Sequence, residues 1–132
     1  MTFSKILLGF TGIVFAGYGV WCAVDPGVVA GYSGLSYPTR SAVVEARAMY
    51  GGVQLGFGAF LLYGAMRSSA RVHTLVATLL VVGGLASCRA IGLALAGPDD
   101  YNVAAVLYET TTTLLFAVAW AREQRADAAL GA

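Results

Sequence analysis

The sequence predicts an all-α fold, an integral membrane four-helix bundle with both termini cytoplasmic, on three observations. Hydrophobic residues fill 58% of the 132 positions and charged residues only 11%, outside the range of a water-soluble domain. The apolar residues fall into long segments at about 6–24, 42–66, 72–96 and 102–120, separated by turn signals. The few ionisable residues inside those segments lie at a common depth, as mutual partners would. One domain, 1–132, is therefore expected. The formal net charge of +1, without a run of like charges, offers no electrostatic support for a nucleic-acid partner.

The first segment, Ile6 to Val24, matches the ~20 residues needed to cross a hydrocarbon layer of ~30 Å. Lys5 ahead of it could open a signal peptide, but the run is long for one and no small-x-small site closes it. Trp21 before Cys22 also spoils a lipoprotein cleavage site, so a retained helix is expected. Asp25-Pro26-Gly27 ends it, because proline cannot continue a helix and glycine supplies the turn. Residues 28–40 hold Tyr32, Tyr37 and Pro38 among small residues, which suits an interfacial loop with room for a short helix.

Ser41 is the expected N-cap of the second segment, 42–66. Arg67 to Arg71 reads as a short basic turn before the third segment, 72–96. Gly97-Pro98-Asp99-Asp100 is a tight turn with cap residues, after which Tyr101 or Asn102 begins the fourth segment. The polar tail after Trp120 is expected to prolong that helix out of the membrane. Lys5, Arg67, Arg71, Arg122 and Arg125 mark the side of the termini, whereas Arg40 alone marks the other. The positive-inside rule then puts both termini in the cytoplasm, for a multi-pass protein of a bacterial inner membrane.

Ionisable groups inside a membrane are costly and need partners. Arg47, Arg89 and Glu109 fall roughly 7–11 Å inside the outer boundary at about 1.5 Å per residue, with Glu45 slightly shallower. Glu45 and Arg47 are turned about 200° apart on one α-helix, so each looks to another helix. Arg47 with Glu109 and Arg89 with Glu45 is one assignment, and the swapped one is equally open. Gln54, a heptad below Arg47, and Tyr50, one turn from it, extend the candidate network. Such a layer either fixes helix packing or forms a binding site.

Gly51, Gly52, Gly56 and Gly58 form a small-residue stripe with GxxxG spacing at Gly52 and Gly56, the expected packing face of the second helix. Gly9, Gly12, Gly17 and Gly19 in the first helix, and Gly83 and Gly84 in the third, suit the same role. Cys22 and Cys88 lack metal-ligand spacing, and His73 beside Arg71 reads as a solvated interfacial side chain. No metal site, no cofactor and no catalytic set of residues is expected. Thr110 to Thr113 are read as bonding back to their own helix.

The pattern Glu45-x-Arg47-Ala48-Met49-Tyr50-Gly51-Gly52, then Gln54-Leu55-Gly56-x-Gly58, Arg89-x-x-Gly92 and Glu109 resembles a family of small bacterial four-helix membrane proteins of unknown function, related to the DoxX-like group. The resemblance spans nearly the whole chain and implies four helices and a membrane location, with no established reaction. The first function expected is that of a non-enzymatic accessory subunit that packs against a larger membrane-protein complex, such as one for lipid transport or the envelope, in contact with membrane lipids. The alternative is a lipid- or sterol-like ligand binder whose Arg47 and Arg89 receive an anionic headgroup. An intramembrane isomerase using Glu45 and Glu109 comes third, because the arginines expected beside both acids argue against a proton donor.

Overall fold

The structure, a computed structural model, describes residues 2–130, and every described element is helical. These are α1 (Phe3–Val24), α2 (Gly27–Ser33), α3 (Arg40–Ala46), a π-helical stretch (Arg47–Gly52), α4 (Val53–Met66), α5 (Ser68–Ala96) and α6 (Asp100–Leu130). Three helices are long and apolar enough to cross a membrane: α1, α5 and residues Asp100–Ala126 of α6. Their outward faces carry large apolar side chains such as Phe10, Ile13, Leu80, Ile91, Leu107 and Leu114, all exposed. Hydrocarbon rather than water is the solvent such faces match.

The chain divides into two compact units, residues Leu8–Tyr63 and residues Met1–Leu7 with Gly64–Ala132. In the first, α1 and the π–α4 stretch pack antiparallel through residues too small to hold them apart. A Cβ on Gly58 would lie 2.4 Å from the Ala16 amide nitrogen, and one on Gly19 2.4 Å from that of Leu55. Gly51 meets Ala23, and Gly12 meets Leu61 and Leu62, in the same way. The seam Gly12, Ala16, Gly19, Ala23 advances by four, three and four residues, one stripe of a helix. Phe15 and Phe57 close it edge to face, with ring centroids 5.1 Å apart.

The helical run from Arg40 to Met66 is continuous but not uniform. The Val53 N–H bonds to the Ala48 carbonyl, five residues back, the mark of a π turn. Winding in the extra residue rotates the helix before the turn by about 100° relative to the helix after it. Arg47 and Gln54 consequently leave the common face that α-helical heptad spacing assigns them. The α-helical part after the turn, α4, spans 14 residues, or about 21 Å.

Helix ends also differ from the sequence expectation. Thr39, not Ser41, caps α3: its backbone is extended (φ −130°, ψ 158°) and its Oγ1 accepts the Ala42 N–H at 3.1 Å. Pro38 explains the earlier stop of the loop, since proline cannot donate to a helix and fixes its own φ. The expected basic turn shrinks to Arg67, because α5 already starts at Ser68. Residues 28–40 do hold a short helix, α2, closed by Gly34 in the left-handed region (φ 73°) with its N–H on the Ala30 carbonyl.

In the second unit α5 and α6 form an antiparallel hairpin. Leu75, Thr78, Val82 and Ala86 line the inner face of α5, and Glu109, Thr112, Phe116 and Ala119 that of α6. The threonines are tolerated in this dry seam because they bond to their own helices: Thr78 Oγ1 donates to the Thr74 carbonyl (2.7 Å) and Thr113 Oγ1 to that of Glu109 (2.8 Å). Gly83 faces Thr113, and Gly64 leaves no space for a Cβ beside Thr74. At the termini end Arg122 lies over the Phe3 ring, 5.1 Å from its centroid.

Candidate functional site

The α5–α6 hairpin carries a charged residue on each arm. Arg89 lies seven residues before the end of α5 and Glu109 nine after the start of α6, so both sit roughly 10–13 Å along the hairpin from its turn. Arg89 Nε donates to both Glu109 oxygens, at 3.1 and 3.0 Å, and Nη2 donates to Oε1 at 2.7 Å. Glu109 is 7% exposed. A carboxylate buried to this degree is tolerable only with a partner of good geometry, which the half-buried Arg89 supplies through this fork contact.

The pair continues toward the turn. Arg89 Nη1 donates to Asn102 Oδ1 at 2.7 Å, and Asn102 Nδ2 donates to Asp99 Oδ2 at 2.8 Å. Asp99 Oδ1 accepts the Asn102 backbone N–H at 2.9 Å, the contact of an N-cap residue with the first turn of its helix. Those two bonds from Asn102, backbone first and side chain second, hold the Asp99 carboxyl below the usual carboxylate range. Tyr101 places its ring 5.8 Å from the guanidinium carbon of Arg89. Gly97 (φ 91°) makes the turn that lets α6 start beside the end of α5.

An open groove of about 390 Å³ runs beside this network. Leu85, Cys88, Arg89, Gly92, Leu93 and Ala96 line it from α5, at the spacing of one helix face, and Gly97, Asp99 and Asn102 close its end. A Cβ on Gly92 would meet nothing within 4 Å, so the missing side chain is what opens the middle of the groove. Of the five N–H groups of Arg89, Nε, one on Nη1 and one on Nη2 are engaged by Glu109 and Asn102. Among the described residues two remain, and Tyr101 is close enough to take one of them, which leaves at least one unengaged. Apolar walls with a few convergent polar groups at one end are the usual make-up of a small-molecule site.

The family described as a domain of unknown function, DUF4345, matches residues 3–120. The chain belongs to that family. No curated protein and no solved structure matches it.

In this DUF4345 member the other residues singled out from sequence lie in the Leu8–Tyr63 unit. Glu45 is the penultimate residue of α3 and is exposed, and Arg47 opens the π turn and is exposed. Tyr50, inside the turn, and Gln54, on α4, are half-buried. Among the described residues the salt bridge is Arg89 with Glu109. Of the proposed packing glycines, Gly51 and Gly58 meet α1 closely, whereas a Cβ on Gly52 or Gly56 would meet nothing within 4 Å. Gly52 is one residue around the helix from Gly51, which turns the GxxxG pair away from the α1 seam.

Sequence reading passed over Asn102, Asp99 and Tyr101 as parts of the site. Asn102 and Asp99 look like cap residues, which they are; their second use, tying Arg89 to the turn, is invisible without the hairpin register. A tyrosine cluster was missed as well. Tyr18 and Tyr32 share a hydroxyl hydrogen bond. The buried Tyr37 hydroxyl has no partner among the described residues, and desolvation, then Tyr50 and Cys22, push it above its ordinary value.

Proposed function

We propose that this protein is a small membrane-embedded binder of a lipid-like ligand, held in the α5–α6 groove with its polar head at Arg89. The observation that carries the reading is the coincidence of a fully formed pair, Glu109 buried and Arg89 half-buried, with an apolar groove that Gly92 leaves open. A pair that served packing alone would need no groove beside it, nor a guanidinium N–H to spare. Both Glu109 oxygens accept from Arg89, which suits a binding role better than proton transfer. The setting proposed is a bacterial inner membrane, with a fourth span contributed by the Arg40–Met66 run and both termini cytoplasmic by the basic-residue count. The likeness to the DoxX-like group belongs to the same proposal, since it implies a membrane bundle without an assigned reaction.

Native mass spectrometry of the protein taken gently from its own membrane tests this. Wild type should retain one dominant small amphiphile and Gly92→Leu should not. Equal lipid patterns in the two would refute it.

One observation favours a second reading, an accessory subunit of a larger membrane complex. Gly52 and Gly56 leave an open small-residue face on the Arg40–Met66 run, of the kind a partner helix packs against. A stoichiometric protein partner in the same preparation, lost in a Gly52→Leu/Gly56→Leu variant, would establish it.

A further inference from the structure

The groove's charge is more informative than the presence of an arginine in it. Arg89 by itself suggests a phosphate or carboxylate ligand, as a guanidinium fork suits either. Its surroundings argue otherwise. Glu109 takes Nε and one N–H of Nη2, and Asn102 takes one of Nη1. Asp99 stands behind Asn102 at the groove's end. Two carboxylates against one guanidinium leave the polar end with a surplus of one negative formal charge. An incoming anion would meet that surplus at two places: Glu109 is buried, where protein screens its charge poorly, and Asp99 stands exposed at the turn beside the groove's end. A cation would face the guanidinium first, since Arg89 lines the groove and Glu109 lies behind it, 7% exposed.

Resting on the ligand-binding reading above, we infer that the groove selects an uncharged amphiphile whose head is a single hydroxyl or carbonyl, accepting a spare N–H of Arg89. Such a head gains a charge-assisted hydrogen bond without adding charge. It also leaves the Arg89–Glu109 contact intact, so no buried ion loses its partner on binding. The body must be apolar. Leu85, Leu93 and Ala96 supply the wall, and from Leu85 to Ala96 the groove extends about 16 Å along the helix axis. Long-chain alcohols, sterol-like alcohols and long-chain ketones share this chemistry.

Cys88 offers a direct readout, because it is exposed and lines the groove, whereas Cys22 is buried. The full-length protein in phosphatidylcholine nanodiscs would be alkylated with a membrane-permeant maleimide. Three probes with one identical chain would be added in turn: oleyl alcohol, oleyl sulfate and oleyltrimethylammonium. The alcohol is expected to slow Cys88 labelling about tenfold, with each charged probe slowing it less than about twofold, a difference any comparable gap in affinity would produce. Protection by the sulfate or the ammonium probe equal to that by the alcohol would overturn the inference while leaving the groove a ligand site. No protection by any probe would overturn the binding reading and the inference together.

Asp99→Asn removes the charge while keeping the side chain's size. An asparagine oxygen can still accept the Asn102 backbone N–H, though not the Nδ2 bond as well, and the surplus charge is gone. Protection by oleyl sulfate is expected to rise several-fold in that variant. If it stays at the wild-type level, the surplus charge is not what selects the head, and the inference fails.

Discussion

Arg89 and Glu109, twenty residues apart, meet through three hydrogen bonds of 2.7 to 3.1 Å across the inner face of the α5–α6 hairpin. The contact fixes the register of the two helices and leaves part of the guanidinium turned to a groove. Both consequences come from one arrangement, and each can be tested separately.

Removing one partner strands the other ion. Arg89→Met or Glu109→Leu alone should lower stability by about 3–5 kcal/mol, whereas the double variant should recover most of that loss. Thermal unfolding in mild detergent, arranged as a double-mutant cycle, measures it. Additive losses would mean that the two side chains do not depend on each other.

Gly92→Leu places a side chain in open space within a long helix. It should leave the melting temperature unchanged or raise it, since replacing a mid-helix glycine gains up to about 1 kcal/mol. A marked fall in melting temperature would show that the groove is already filled by protein.

The glycine seam predicts a contrast within one helical run. Gly58→Val should destabilise the α1–α4 packing by about 1–3 kcal/mol or more, because its Cβ would strike the Ala16 backbone. Gly52→Ala should be tolerated, with nothing within 4 Å of the new carbon. Parallel thermal melts of the two variants test the seam, and equal losses would refute it.

The turn predicts a pH effect of definite sign. The bonds from Asn102 lower the Asp99 pKa in the folded state relative to the unfolded chain. Its contribution is therefore complete above the unfolded carboxylate value and is lost as pH falls through the lower folded value. Melting temperature measured from neutral to acid pH should show this decline in wild type, and a smaller one in Asp99→Asn. Identical profiles would mean that the Asp99 cap does not stabilise the hairpin.

Much of the fold was legible because it rests on signals local in sequence. Apolar segment length marked out α1, α5 and α6, Asp25-Pro26-Gly27 marked the first stop, and the polar tail does continue α6 to Leu130. Arg89 and Glu109 stood out because charges are rare in such segments. The features that could not be read depend on register or on a partner's shape. Nothing in Arg47–Gly52 distinguishes a π turn from an α turn, yet the turn decides which way Arg47 and Gln54 face. Gly51 and Gly58 differ from Gly52 and Gly56 only through the backbone of α1. Asn102 becomes part of the site only once α6 folds back on α5.

The most direct test of the groove is to find where a bound amphiphile lies. A photoactivatable long-chain alcohol, with its reactive group near the head, would be cross-linked to the protein in nanodiscs and the adducts mapped by peptide mass spectrometry. Adducts concentrated on α5 between Leu85 and Ala96, and abolished by Gly92→Leu, are the predicted result. Adducts spread over α1, α5 and α6 in proportion to their lipid exposure, and indifferent to Gly92→Leu, would contradict it.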